Sequence, residues 1–218
     1  MMATPPARKP IDDHLDQVYG AGTTEELSGA YADWAEDYDV DVASMGYRFP
    51  ALASAMVARH VSNRDAALLD AGAGTGLVGA WLRDLGYTNL TATDFSAEML
   101  EVAKATGAYR EAQVGDLLKR LPFADDAFEG VVAVGVFTQG HVSPEGLEEV
   151  LRVVQPGGVV VIPQMEYSWT QMGFQTKSEE FAISGRWELV EQTPWAPPMP
   201  LAAEHRDDLG CVFVWRTA

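Results

Sequence analysis

The sequence predicts an α/β fold with a doubly wound, mostly parallel sheet and an antiparallel edge strand. Strand-like and helical segments alternate from residue 67 onward. The first strand ends at Asp70 and breaks into a turn with Gly72, Gly74 and Gly76 that opens a helix, a pattern typical of nucleotide-binding α/β proteins. The last two strands have no helix between them, which indicates an antiparallel pair.

Strands are expected where short apolar or β-branched runs stand between turn residues. They are Ala67–Asp70, Leu90–Asp94, Ala112–Val114, Phe128–Val134, Val159–Ile162, Arg186–Gln192 and Gly210–Arg216. Helices are expected before and between them, with starts and ends set by capping residues and by Pro or Gly. They are Pro50–His60, Leu77–Leu85, Ser96 to Thr106, Ser143-Pro144 to Pro156-Gly157-Gly158, and Thr170–Ile183.

A further helix is predicted near the N-terminus, where Thr23 and Glu26 stand at the spacing of a capping box. An apolar and aromatic stripe recurs on one face of this helix: Leu27, Tyr31, Trp34 and Tyr38. Core packing is the common outcome for such a stripe, and the alternative is that its tyrosines line a pocket.

Length and charge limit the function classes. The chain has 218 residues, which suits one α/β domain over residues 1–218, and no apolar run approaches the ~20 residues of a membrane span. The net charge is −17, and residues 1–41 hold ten acidic residues against Arg8 and Lys9, so a nucleic-acid partner is not expected. A single cysteine, Cys211, leaves no internal disulfide and predicts a cytoplasmic location.

The glycine turn allows two interpretations. A dinucleotide fingerprint, G-x-G-x-x-G, is present at Gly74, Gly76 and Gly79, and would predict an NAD-binding oxidoreductase. In that fingerprint the first glycine normally follows the strand directly. Gly72 occupies this place, but Leu77 then stands where the third glycine belongs, so the dinucleotide pattern is weak.

The second interpretation uses several segments in order. They are Leu69–Gly76, Ala92–Leu100, Gly115–Leu117, Leu121–Phe123, Phe128–Val132 and Leu151–Gly158. Together they resemble the motifs of class I S-adenosylmethionine (SAM)-dependent methyltransferases, over roughly residues 66–164. The resemblance implies a Rossmann-like fold, with residues 1–60 as an N-terminal helical lid over a core of residues 61–218.

Segments outside these motifs resemble the Williams–Beuren-region methyltransferase-like proteins. They are Tyr31–Asp39, Asp41-Val42, Tyr47–Pro50, Gly74–Val78, Gly107 and Tyr109. This narrower likeness does not identify an acceptor molecule.

The resemblance to class I methyltransferases implies SAM as the cofactor and S-adenosylhomocysteine as its product. It assigns Asp94 to the ribose hydroxyls, Asp116 to the adenine amino group, and Leu117 and Phe95 to the base. Asp70 is expected beneath the glycine turn, facing the ammonium of the methionine end. The full implied contact set is Asp70, Gly72, Ala73, Gly74, Gly76, Asp94, Phe95, Met99, Gly115, Asp116, Leu117 and Gly135.

The acceptor side is less determined. The resemblance places the loop after the fourth strand beside the transferring methyl group, and His141 in that loop is a candidate general base. The alternative is a loop histidine bonded to backbone. We expect a small and partly hydrophobic acceptor, with contacts from Tyr31, Trp34, Tyr38, Arg48, Phe137 and Trp195. Trp195 belongs to the proline-rich loop Pro194–Pro200, which we expect to form a pocket wall.

No spacing of Asp, Glu or His argues for a catalytic metal, and the sequence leaves the oligomeric state open. Two alternatives to methyl transfer also remain at this point besides the oxidoreductase. One is a protein that binds SAM without transferring the methyl group, and the other is a fold relative that uses SAM or its product for different chemistry.

Overall fold

The structure of the protein is a computed structural model, and it describes residues 11–35 and 37–218. The helices are α1 Ile11–Gly20, α2 Thr24–Trp34, α3 Tyr38–Ser44, α4 Phe49–His60, α5 Leu77–Asp84, α6 Ala97–Ala105, α7 Gly146–Val153, α8 Glu166–Gln171 and α9 Phe174–Ile183. The strands are β1 Leu68–Ala71, β2 Leu90–Asp94, β3 Glu111–Val114, β4 Phe128–Val132, β5 Val154–Met165, β6 Trp187–Gln192 and β7 Gly210–Thr217. Within these ranges no helix is both long and apolar enough to cross a membrane.

The strands form one seven-stranded sheet in the order β3-β2-β1-β4-β5-β7-β6. The pairs from β3 to β5 are parallel, whereas β7 runs antiparallel to both β5 and β6. The predicted Rossmann-like fold class is therefore confirmed. The antiparallel strand is β7, second from the end of the sheet, and β6 forms the edge itself.

Apolar side chains cover both faces of the sheet, as a parallel sheet requires. On one face, Leu147 and Val150 of α7 and Phe174 of α9 pack on a layer that includes Leu69 and Ile162. On the other face, α4 and α5 pack on a layer formed by alternate residues of the same strands, through side chains such as those of Ala53, Leu82 and Val161. This burial holds the strand ends, and the loops that leave them, in fixed positions.

Two predicted helix starts are confirmed by their hydrogen bonds. The Thr23 hydroxyl accepts the N–H of Glu26 at 3.2 Å, and the Ser96 hydroxyl accepts the N–H of Met99 at 3.1 Å. The Glu26 carboxylate reaches back one residue beyond the usual partner of a capping box and accepts the N–H of Gly22 at 2.9 Å.

The aromatic stripe is divided between two helices instead of lying on one. Helix α2 ends at Trp34, and Tyr38 begins α3. The rings still meet, because the centroids of Trp34 and Tyr38 are 4.9 Å apart and those of Tyr31 and Tyr38 are 6.2 Å apart. The region expected to form a lid, residues 1–60, contains α1 to α4, while residues 1–10 and 36 lie outside the described residues.

Three other features differ from the predictions. Helix α7 begins at Gly146, because the segment from Ser143 forms tighter turns of the 3₁₀ type. In these turns each N–H bonds to the carbonyl oxygen three residues earlier in the chain. Helix α7 ends at Val153, and the Pro156-Gly157-Gly158 segment belongs to β5, where the pairing with β4 shifts register. The predicted helix 170–183 is two helices, interrupted at Gly173, whose φ is +86°.

We predict that Gly79→Ala destabilises the fold. Gly79 lies in α5, and an added Cβ would stand 2.2 Å from Cζ of Tyr109, which is hydrogen-bonded on both sides. Alanine favours a helix by about 1 kcal/mol over glycine, but the overlap should outweigh this and lower the free energy of unfolding by about 1–3 kcal/mol. Urea denaturation measures the change.

Gly29→Ala is the matched control, because Gly29 lies in α2 and an added Cβ there meets no atom within 4 Å. It should raise the free energy of unfolding by up to about 1 kcal/mol. A Gly79→Ala protein as stable as this control would contradict the packing described for Tyr109.

Candidate functional site

A cleft opens at the carboxyl ends of the parallel strands, where ligands bind in open α/β sheets. We call it the first cleft. Its lining is Leu27, Tyr31, Tyr38, Gly72, Gly74, Thr93, Asp94, Phe95, Met99, Gly115, Asp116, Leu117, Leu118, Val134, Gly135, Val136, Gly140, His141 and Val142. The loops after β1, β2, β3 and β4 therefore meet in one place, and α2 and α3 close over them.

The floor of the first cleft is bare backbone. Gly72 has φ +78°, and an added Cβ would lie 2.1 Å from Cγ2 of Val136. Gly74 has φ +54°, and an added Cβ would meet no atom within 4 Å. The Thr93 carbonyl holds the turn by accepting the N–H groups of Gly72 and Ala73 at 2.7 and 3.0 Å. A ligand at Gly74 can thus approach the main chain directly.

Asp94 joins the glycine turn to the end of β2. Its Oδ2 accepts the N–H of Gly74 and its Oδ1 accepts the N–H of Ser96, both at 2.9 Å. Burial raises the pKa of this carboxyl, and the backbone N–H bonds act in the opposite direction. Each carboxylate oxygen has a second lone pair, so Asp94 can accept further hydrogen bonds from a ligand in the first cleft.

Asp70 lies behind the glycine turn and is not among the residues that line the first cleft. Its Oδ2 accepts the Tyr109 hydroxyl at 2.6 Å, and that hydroxyl accepts the N–H of Gly79 at 3.1 Å. Burial raises the pKa of Asp70 to about 7, with a smaller contribution from the nearby Asp94 charge. Among the residues that the structure describes, none gives the buried Oδ1 a hydrogen bond.

Two other residues of the glycine turn are also absent from the lining. Ala73 packs against Ala92 and Leu100, and an added Cβ at Gly76 would lie 3.1 Å from Ala103 Cα. These residues shape the turn from behind.

The far wall of the first cleft follows β3. The Asp116 carboxylate accepts the N–H of Leu118 at 2.9 Å and pairs with the exposed Lys119 ammonium at 3.1 Å. Leu117 and Met99 are buried and offer apolar surface beside it. A flat heterocycle with a polar edge suits this combination of apolar walls and one carboxylate.

A second cleft adjoins the first. Its lining is Leu15, Val18, Tyr31, Trp34, Tyr38, Val42, Met45, Tyr47, Phe49, Gly135, Val136, Phe137, Thr138, His141, Pro163, Met165 and Met199. Five residues line both clefts: Tyr31, Tyr38, Gly135, Val136 and His141. Groups bound in the two clefts would meet at this shared boundary, which we call the junction.

His141 at the junction has a defined hydrogen-bond arrangement. Its Nδ1 lies 2.9 Å from the Gln139 carbonyl oxygen, which accepts only from an N–H, so Nδ1 carries the proton. Its Nε2 lies 2.7 Å from the Tyr31 hydroxyl, which donates to it. Burial lowers the pKa of His141 below its usual range, so the ring is neutral with its lone pair on Nε2. The two sequence interpretations of His141, a candidate base and a loop histidine bonded to backbone, are compatible. The residue bonds to a backbone carbonyl through Nδ1 and also lines both clefts.

The expected acceptor contacts divide into two groups. Tyr31 and Tyr38 line both clefts, and Trp34 and Phe137 are buried and line the second. Arg48 is exposed and precedes α4, so it lines neither cleft.

Trp195 also lines neither cleft. It packs on Phe213, at 5.9 Å between ring centroids, within the core on the α7 and α9 face of the sheet. The proline-rich loop does reach the second cleft, but through Met199. We therefore assign no ligand contact to Arg48 or Trp195.

Sequence reasoning missed most of the apolar lining of the second cleft. Tyr47 stands next to Arg48 and lines the cleft in its place, and Pro163 and Met165 follow from the carboxyl end of β5. The position of β5 between β4 and β7 could have indicated Pro163 and Met165, because β5 ends at the edge of the sheet where the clefts lie. Leu15, Val18 and Val42 carry only an ordinary amphipathic pattern, so no sequence signal marks them.

The third glycine of the alternative dinucleotide fingerprint has a packing role. Gly79 receives the Tyr109 ring in α5 and lies away from both clefts. A role for this glycine in holding a pyrophosphate finds no support in that position.

Comparison with known proteins agrees with this geometry. Residues 69–162 match the family model described as a methyltransferase domain. The chain is 33% identical to human methyltransferase-like protein 27 over 183 residues, 77% of this chain and 74% of that protein. It is 34% identical to a demethylmenaquinone methyltransferase of Renibacterium salmoninarum over 164 residues, 73% of this chain and 66% of the relative.

A solved structure has the same fold. The methyltransferase bound to the Trm112 activator in a Haloferax volcanii complex superposes with a TM-score of 0.64 at 20% identity, covering 86% of this chain and 97% of that one. With the sheet order, the glycine turn and the extent of the sequence match, these findings show that the chain belongs to the class I SAM-dependent methyltransferases.

Proposed function

We propose that this methyltransferase holds SAM in the first cleft and transfers its methyl group to a small-molecule acceptor in the second. The observation that carries the proposal is the junction, where the two clefts share residues beside His141. Alignment of two reactants across a short boundary is the main requirement of an in-line displacement. When bound, SAM supplies a methyl group on a positively charged sulfur.

The residues of the first cleft fit SAM. Gly74 leaves open space above bare backbone, and Asp94 offers a buried carboxylate for the ribose diol. Asp116 offers an acceptor for the adenine amino group, with Leu117 and Met99 as apolar walls. Asp70 lies behind the glycine turn, and from there its negative charge attracts the ammonium of the methionine end without direct contact.

His141 acts as the general base when the acceptor must lose a proton. Its Nδ1–H is held by the Gln139 carbonyl, which directs the Nε2 lone pair to the junction. Tyr31 currently donates to that lone pair, so an acceptor hydroxyl or amine would replace or join the Tyr31 hydroxyl there. A positioned base of this kind accelerates proton transfer by about 10²–10⁴-fold.

The second cleft also bears on the alternative of SAM binding without transfer. That function would leave the acceptor side closed or filled by side chains. The second cleft is unfilled, opens in part to solvent and reaches the junction, where it shares five residues with the first cleft. This space favours transfer to an acceptor.

Cofactor binding is the first test. Calorimetric titration with SAM, S-adenosylhomocysteine and NAD should show binding of the two adenosyl ligands alone. Asp94→Asn should weaken binding of S-adenosylhomocysteine by about 1.5–3 kcal/mol, roughly tenfold to a hundredfold, because one charged acceptor becomes an amide. Asp84→Asn is the control, since Asp84 is exposed on α5 and pairs with Arg83. Binding of NAD instead would refute the cofactor assignment, and an unchanged affinity in Asp94→Asn would remove Asp94 from the ribose.

The pH dependence of binding tests Asp70. Its pKa is raised to about 7 in the free protein, so the carboxyl is mostly protonated at lower pH. The carboxylate attracts the ammonium and the protonated carboxyl does not, so the affinity for S-adenosylhomocysteine should fall as the pH drops below that pKa and level off above it.

Two variants define the origin of this slope. Asp70→Asn should remove it, because the amide does not titrate. Tyr109→Phe should move the midpoint to higher pH, because the lost hydrogen bond stabilised the carboxylate. A slope that persists in Asp70→Asn would assign the proton to another group.

The state of His141 can be measured by nitrogen-15 NMR of the imidazole rings, since the chain has only 4 histidines. We expect His141, assigned with His141→Gln, to be neutral near pH 7 with its proton on Nδ1. Tyr31→Phe should leave this tautomer unchanged, because the Gln139 carbonyl selects it. A proton on Nε2 would contradict the base role proposed here.

A further inference from the structure

The second cleft differs from the first in charge. Among the described residues that line it there is no Asp, Glu, Lys or Arg, and His141 is neutral because burial lowers its pKa. The first cleft, in contrast, contains Asp94 and Asp116. A charged group that entered the second cleft would lose its hydration without gaining a partner of opposite charge from this lining.

The polar atom of the Trp34 ring is used inside the protein. Asp41 is 1% exposed, and its Oδ2 accepts the Trp34 indole N–H at 2.7 Å. Trp34 lines the second cleft, and because this bond occupies its one donor, the indole offers a ligand apolar surface.

The polar atoms of the second cleft are not spread evenly. Tyr31, Tyr38 and His141 belong to the junction, and Thr138 lies in the same loop as His141. The Tyr47 hydroxyl also lies near the junction, 3.5 Å from where a Cβ on Gly135 would stand. The remaining wall, which does not reach the first cleft, contains Val42, Met45 and Met199, which form one apolar cluster with Leu15, Tyr38 and Tyr47. A ligand that satisfies both ends has one hydrogen-bonding group at the junction and an apolar body directed away from it.

We infer that the methyl acceptor is an uncharged, mainly apolar molecule with a hydroxyl group that binds at the junction beside His141. This inference rests on the proposed function and names the acceptor class of the same site. The aromatic rings of Trp34, Tyr38 and Phe49 favour a planar ring in the body of the acceptor. Methionine side chains at Met45, Met165 and Met199 are adaptable and admit bodies of different shape.

A matched series of phenols tests the inference. 4-Butylphenol is neutral, 3-(4-hydroxyphenyl)propionate is anionic and tyramine is cationic near neutral pH, while the phenol is the same in all three. Their dissociation constants are measured by ligand-observed NMR with the full chain saturated with S-adenosylhomocysteine. We expect the neutral phenol to bind about tenfold or more tightly than either charged one, because only the charged ligands lose hydration without compensation.

A variant pair places the selection in the second cleft. Met165→Lys introduces a cation into its lining, and Met165→Leu is the neutral control; Met165 lines the second cleft and not the first. The lysine variant should reverse the preference between 4-butylphenol and the propionate, and the leucine variant should keep it. Both should bind S-adenosylhomocysteine with the affinity of the native chain, which also shows that they are folded.

Two results would overturn the inference. One is a charged phenol that binds the native chain as tightly as the neutral one, and the other is the absence of binding by all three while S-adenosylhomocysteine binds. In both cases the cofactor titration stands by itself, so failure of the acceptor class is distinguished from failure of the proposed function. Failure of S-adenosylhomocysteine to bind the native chain would instead refute the proposed function.

Discussion

The close approach of the main chain at Gly72 to the loop after β4 is the constraint on which the site depends. An added Cβ there would overlap Val136, so the ends of β1 and β4 can lie this near only without a side chain. That approach brings the glycine turn, whose Gly74 N–H donates to Asp94, next to the loop that carries His141. The buried layers on both faces of the sheet then fix the strand ends from which these loops start. The clefts are thus a product of sheet packing and one bare residue.

The sequence was sufficient for the fold and for much of the first cleft. Asp70 and Asp94 mark the ends of two strands, and the glycines between them mark the turn, so short stretches of sequence identify these features. Because the two strands are parallel and adjacent, their ends lie side by side in the fold. The same reasoning could not separate residues that face the cleft from residues behind it. Asp70 and Gly76 lie behind because their strand or turn positions point away, which only the three-dimensional path of the chain determines.

The second cleft was harder to predict for a physical reason. Its walls come from α1, α3, the end of β5 and the loop that holds Met199, segments far apart in sequence, and their apolar residues look like ordinary core residues. Arg48 attracted attention because it is charged, but its neighbour Tyr47 is the one that faces inward. The division of the aromatic stripe between α2 and α3 also has no clear sequence signal, since Trp34 and Tyr38 keep helical spacing.

Among the described residues, two side-chain hydrogen bonds join α2 and α3 to the loops after β4 and β1. Tyr31 of α2 donates to His141, and the Thr75 hydroxyl donates to Asp39 of α3 at 2.6 Å. Both bonds hold α2 and α3 against the loops that line the clefts, so both would have to break in any movement of these helices away from the clefts. Motions of this kind occur in microseconds to milliseconds and often limit the turnover of enzymes. If such a movement limited turnover here, the rate would fall as the viscosity of the solution rises.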